Sequence, residues 1–130
     1  MWNVVHLTQS IARTPGEVVA FAGDPANLPR WASGLSSGIR QSDGEWVADS
    51  PMGEVSVRFA PANAFGVLDH DVVMPDGATF HNPLRVLPNA DGSEVVFTLF
   101  QLDGVADAEF EADAVTIRAD LERLRAVLES

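Results

Sequence analysis

Apolar and polar residues alternate at the start of the chain, where Val5, Leu7 and Ile11 interleave with Val4, His6, Thr8 and Ser10. This period of two predicts a half-buried strand over Val4 to Arg13, with Gln9 on its apolar face. Thr14-Pro15-Gly16-Glu17 then reads as a capping box with proline at the first helical position, so a short helix is expected from Pro15 to Ala22. Asp24-Pro25 repeats the signal, but Pro29 interrupts the ladder, and Pro25 to Ser33 predicts one or two brief turns carrying Trp31 against the sheet. After Gly34 the apolar runs are short and separated by Gly, Pro, Asn and Asp. Strands are expected near Ser36 to Gln41, Glu45 to Asp49, Gly53 to Ala60, Gly66 to Met74, Ala78 to Leu87 and Ser93 to Gln101. From Asp107 the spacing Phe110, Ala114, Ile117, Leu121, Leu124, Leu128 predicts one long amphipathic helix.

This order describes an α+β domain in which a single helix lies across a strongly curved antiparallel sheet. Such a pair leaves a hollow, the usual place for a small apolar ligand. Which side chains face it depends on the turn at Met74-Pro75-Asp76-Gly77-Ala78. A two-residue Asp76-Gly77 turn puts Asp69 and Asp71 on the inner face at a cost of several kcal/mol each, roughly. A three-residue Pro75-Asp76-Gly77 turn with left-handed Gly77 pairs Met74 with Ala78, Val72 with Phe80, His70 with Asn82 and Leu68 with Leu84, and gathers apolar residues on one face. The second register is expected. It places Val55, Val57, Phe59, Val95, Phe97 and Leu99 on the same concave wall, with His70, Asn82, Gln101 and Gln9 as its neutral polar exceptions. His81, Asp71, Arg85 and Asp69 then point to the convex, wet face, and the cavity has no charged wall.

Composition narrows the chemistry. A chain of 130 residues fits one domain, residues 1–130, with no linker or repeat. The formal net charge of -11 is spread along the chain and repels phosphate backbones, so no nucleic acid is expected as a partner. There is no cysteine, tyrosine or lysine, which excludes thiolate nucleophiles, Schiff bases and tyrosine acids. No signal-like or membrane-spanning segment is apparent, and a soluble, cytoplasmic protein, monomer or homodimer, is expected.

His70 is the first candidate for proton transfer, because an imidazole on an apolar wall beside an amide can orient a carbonyl or move a proton. The competing reading is a core histidine satisfied by Asn82 or by water. Asp69-His70-Asp71 is no triad, since on a strand both carboxylates point away from the imidazole. His6, His70 and His81 are the only imidazoles, and His70 and His81 face opposite sides, so no metal and no cofactor are expected.

The segments Ile11-Ala12-Arg13-Thr14-Pro15-Gly16-Glu17-Val18, Leu28-Pro29-Arg30-Trp31-Ala32, Phe65-Gly66-Val67-Leu68-Asp69-His70, Asn82-Pro83-Leu84-Arg85-Val86, Gly92-Ser93-Glu94-Val95-Val96-Phe97-Thr98-Leu99 and Asp120-Leu121-Glu122-Arg123-Leu124, in this order, carry a resemblance to a known family. The chain resembles the START-like helix-grip superfamily, SRPBCC, on its polyketide cyclase/dehydratase-like side, among small bacterial members. The resemblance implies a seven-stranded antiparallel sheet gripping the terminal helix, with a ligand tunnel between them. Several enzymes of the family place lysine or tyrosine in that tunnel, and this chain has neither.

The expected function is binding of a small hydrophobic molecule, aromatic or polyketide-like. Val55, Val57, Phe59, Leu68, Phe80, Leu84, Phe97 and Leu99 would hold it, with Ile117 and Leu121 from the helix, Trp31 and Trp46 as aromatic walls, and Gln9 and Gln101 orienting it. The alternatives are a cyclase or dehydratase in which His70 moves protons while Asn82 and Gln101 hold an enolate or carbonyl oxygen, and a protein-interaction module whose cavity is filled by side chains.

Overall fold

The computed structural model describes residues Met1–Ser130. Eight strands and two α-helices follow in the order β1 (Val4–Ile11), α1 (Pro15–Ala22), β2 (Arg40–Ser42), β3 (Glu45–Ser50), β4 (Gly53–Phe59), β5 (His70–Val73), β6 (Thr79–Asn82), β7 (Leu84–Asn89), β8 (Gly92–Phe100) and α2 (Asp107–Glu129), with 3-10 turns at Pro25–Arg30 and Ser33–Leu35. α1 starts where the capping residues require: the Thr14 hydroxyl accepts the Glu17 amide and Pro15 opens the helix.

The expected single seven-stranded sheet is divided. β1, β8 and β7 form one sheet in that order, and β2 to β6 form a second in sequence order, all antiparallel. The division falls at Pro83, which has no N–H to give to a ladder. There the expected Ala78 to Leu87 strand breaks into β6 and β7. The expected Ser36 to Gln41 strand shrinks to β2, because reverse turns continue through Gly38. Regular pairing in the Gly66 to Met74 strand begins only at His70, since Gly66 adopts a φ of +73°.

The hairpin register is the one the carboxylates demand. His70 pairs with Asn82, Val72 with Phe80, the Met74 amide donates to Ala78, and Gly77 has a φ of +90°. Upstream of the hairpin the same chain crosses to the other sheet, where the Leu68 amide donates to Leu84 at 2.8 Å and the Val86 amide to Gly66 at 2.9 Å.

Asp69 occupies the break itself. Its carboxylate accepts the Leu84 amide at 2.9 Å and both Arg85 Nε and Nη2, at 2.8 and 2.7 Å. The side chain is only 14% exposed, which corrects its expected place on the wet face. The Arg85 hydrogen bond, followed by the Leu84 amide, outweighs the burial that opposes ionisation and holds this carboxyl below its ordinary 3.8. Its contribution to stability is therefore complete above that value and is lost as pH falls through the lower folded value. Asp69→Asn is expected to cost about 1–3 kcal/mol at pH 7. It should also flatten the wild-type loss of stability below pH 4, both read from urea melts across pH.

The core joins both sheets to the helices through Leu7, Ile11, Leu84, Val86 and Val95 of the first sheet, Val57 of the second, and Val18, Leu68, Leu121 and Leu124. α2 is also tied at three points. Gln101 Nε2 donates to Asp107, Asp120 accepts the Ser33 amide while Arg123 reaches the Trp31 carbonyl, and Glu129 accepts the Ala12 amide at 2.8 Å. Only Leu121 and Leu124 of the helix are fully buried. The helix thus docks most deeply through its C-terminal half, while Ala114 and Ile117 of its N-terminal half are only partly buried against the core.

Candidate functional site

Between the N-terminal half of α2 and the inner faces of the two sheets lies a cavity of about 810 Å³, within the range of small-molecule sites. Its existence follows from the divided sheet. β7 pairs with β8 only as far as Leu84 opposite Phe97, after which β8 continues beside β1 alone. β6 diverges from the far end of β8, and a Thr98 amide to Pro83 carbonyl bond at 3.1 Å closes the fork. Thr79, Phe80 and Asn82 on one side and Thr98, Leu99 and Phe100 on the other line the slot that results. Phe80, 43% exposed, stands at this opening.

Nine of the sequence candidates line the cavity: Trp31, Val57, His70, Phe80, Asn82, Phe97, Leu99, Ile117 and Leu121. Others lie outside it for identifiable reasons. Leu84 and Leu68 are core residues beneath the break, and Val55 is buried opposite Ala48. Trp46 pairs with Gln41 and Val57 farther along the second sheet. Phe59 stacks on His70 with ring centres 4.9 Å apart, beside a smaller hollow of about 160 Å³. Gln9 donates to the Ser10 carbonyl, and the Gln101 amide is occupied by Asn3, Val105 and Asp107.

Two features correct the picture of a neutral wall. Glu109, Asp113 and Asp120 line the cavity from α2. Ile117 and Leu121 of the apolar stripe line the cavity, and the polar flank beside them borders it as well. His81 also reaches the cavity, because β6 is an edge strand whose outer face is not separated from the slot; its Nδ1 lies 2.6 Å from Asp71 Oδ1. The sequence also gave no periodic signal for Trp2, whose indole donates to Asp103 and meets the Phe100 ring edge-on at 6.2 Å.

His70 is held by its neighbours. Nδ1 lies 3.0 Å from the Leu68 carbonyl, which can only accept, so Nδ1 carries the proton and Nε2 keeps its lone pair. The partner is the backbone rather than Asn82. Burial lowers the imidazole below its ordinary 6.5 despite the opposing Leu68 bond, keeping it neutral at pH 7. Because the unfolded chain binds that proton more readily, the contribution of His70 to stability is full above 6.5 and declines as pH falls through the lower folded value. His70→Phe should remove this part of the acid sensitivity and keep the fold, since phenyl fits between Phe59 and Phe97. Thermal melts at pH 5 and 7.5 measure it, and unfolding of the variant at both would show that the Leu68 bond is indispensable.

At the opposite wall Trp31 is 5% exposed, and its Nε1 has no hydrogen-bond partner. A buried donor left unpaired costs about 1–3 kcal/mol, and this one belongs to a ring that lines the cavity.

Comparison with known proteins agrees with this geometry. The family model described as polyketide cyclase / dehydrase and lipid transport matches residues 4–129. An uncharacterised protein from Bacillus thuringiensis superposes with a TM-score of 0.75 at 16% identity, covering 98% of this chain and 100% of that one. Ara h 8.0201 gives 0.69 at 11% identity, covering 99% of each chain. DynU16, a protein of the dynemicin biosynthetic locus, gives 0.72 at 16% identity, over 98% of this chain and 47% of that one. No curated protein sequence matches. At these identities the structural likenesses establish the shared fold.

Proposed function

Since this chain belongs to the polyketide cyclase / dehydrase and lipid transport family, we propose that it binds a small hydrophobic molecule between its sheets and α2. The observation that carries this reading is the cavity of about 810 Å³, whose wall is mostly apolar and includes Val57, Phe97, Leu99 and Ile117. A module with a filled interior, using the fold only to grip another protein, does not fit a hollow of that size. Titration with N-phenyl-1-naphthylamine, a neutral apolar fluorophore, tests the reading. Saturable enhancement at one site per chain supports it, and a response no larger than that of an unrelated soluble protein refutes it.

A catalytic role is favoured by one specific observation, the His70 arrangement. A neutral imidazole with Nδ1 fixed on a carbonyl presents Nε2 as a base of defined tautomer. In a cyclase or dehydratase reaction, Nε2 would take a proton from carbon beside a ligand carbonyl, and Asn82 would donate to the oxygen that becomes enolate. Gln101 has no part in this, since its amide is already bonded. Turnover of a ring-forming polyketide mimic that is abolished in His70→Ala, with probe binding retained, would establish catalysis. Equal turnover in both proteins would remove His70 from the reaction, and no turnover in either would leave binding alone.

A further inference from the structure

Resting on the cavity as the binding site, we infer that ligand passage through the slot between β6 and β8 is gated by Trp2, whose indole is latched at the rim by Asp103. Trp2 lines the cavity and is also 49% exposed, so its ring stands where the hollow meets solvent. Of the exposed Phe and Trp side chains, Trp2, Phe80 and Phe100 all belong to this cavity, and only Phe65 lies elsewhere. Apolar rings gathered in water at one place mark a surface with a use. Phe80 and Phe100 flank the slot from β6 and β8, and the Trp2 ring meets Phe100 edge-on.

The indole is held in a way that lets it move. Trp2 precedes Val4, the first paired residue of β1, and its side chain is fixed by one hydrogen bond, from Nε1 to Asp103 Oδ1 at 3.0 Å. Asp103 stands at the tip of the Leu102–Val105 turn, which leads from β8 to α2 and lends Leu102 and Val105 to the cavity wall. The base of that turn is anchored, because Gln101 bonds to Asn3, Val105 and Asp107. Its tip is free of such ties: Asp103 and Gly104 are exposed, and a Cβ on Gly104 would meet nothing within 4 Å. A single polar bond at an exposed position opens at little cost. The ring can therefore swing off Phe100 while the strands stay paired.

The latch joins Trp2 to Asp103 and to the Phe100 ring, and none of these contacts runs through the ligand. Its loss lowers the barrier to entry and to exit alike and leaves the equilibrium affinity nearly unchanged. A ring that served only as part of the wall would behave differently, since its removal would speed release alone and weaken binding to match.

Stopped-flow association and dissociation of N-phenyl-1-naphthylamine tests this. Trp2→Ala should raise both rate constants about fivefold and keep Kd within about twofold of the parent. Trp2→Phe keeps a ring without the N–H donor and Asp103→Ala removes the acceptor, so each should raise both rates about threefold. Because the two changes break one bond, combining them should add nothing further. Phe65→Ala, which removes an exposed ring outside the cavity, should leave both rates at their parental values. Parental rates in Trp2→Ala overturn the inference, even if the melting temperature falls, and make the bond a clasp for the start of β1. Faster release with unchanged association also overturns it and makes Trp2 a wall residue. Both results leave the cavity reading intact, whereas no saturable binding to the parent overturns both.

Discussion

Gly66→Ala should unfold the domain or bring it close to that point, with a loss above about 3 kcal/mol from a total that for such domains is about 5–15 kcal/mol. A Cβ at this position would lie 2.1 Å from the Val86 carbonyl oxygen, and the backbone φ of +73° is itself unfavourable for a side chain. Neither strand can yield cheaply. Withdrawing Gly66 breaks the Val86 amide bond and draws Leu68 away from Leu84, at the point where the two sheets are joined. Gly77→Ala is the matched comparison. Its φ of +90° is equally left-handed, but nothing lies within 4 Å of the added methyl, so the expected cost is only about 1–2 kcal/mol. Urea unfolding followed by near-ultraviolet dichroism measures both. A Gly66→Ala protein as stable as Gly77→Ala would mean that the close approach at Val86 does not join the sheets.

Filling the cavity should abolish binding without harming the fold. Ile117 on α2 and Leu99 on β8 both line the hollow and are partly buried against the core. Ile117→Trp projects an indole into space that the unliganded protein leaves empty, so the variant should melt at the same temperature as the parent or higher. Affinity for N-phenyl-1-naphthylamine should fall by more than about tenfold. Leu99→Trp approaches from the opposite wall and guards against a local defect in the helix. Val115→Trp places the same ring on a helix position that is 69% exposed and outside the cavity, and should bind normally. Retained affinity in both cavity variants would place the probe elsewhere on the molecule.

The parts of this structure that were legible in the sequence are those governed by local sterics and burial. Thr14 and Pro15 mark the start of α1, and the repeat from Phe110 to Leu128 marks α2. The register of β5 and β6 follows from a left-handed glycine after Pro75-Asp76 and from the cost of burying Asp69 and Asp71 on the apolar wall. The sheet division was written there too, in Pro83, but a missing N–H shows where a ladder fails and not where the chain goes next. The structure supplies that, with Asp69 capping the Leu84 amide and holding Arg85.

The site was less legible because its residues share no periodicity. Whether the apolar stripe of α2 or its polar flank overlooks the hollow depends on how the helix docks beside β1. That orientation is set by Leu121, Leu124 and the Glu129 contact with Ala12, all in the C-terminal half of the helix. Glu109 and Asp113, both exposed, are placed at the cavity by this docking and by no local pattern. Gln101 failed as a candidate for the converse reason: nothing local shows that its amide closes the start of the helix.

The central claim, that a small apolar molecule occupies the space between the divided sheets and α2, is most directly tested by amide chemical-shift mapping during titration with N-phenyl-1-naphthylamine. Saturable shifts confined to Thr79–Asn82, Phe97–Phe100, the Trp31 region and the 109–121 stretch of α2 are predicted. Saturation without shifts there, or shifts centred on the opposite face of the second sheet, would contradict it.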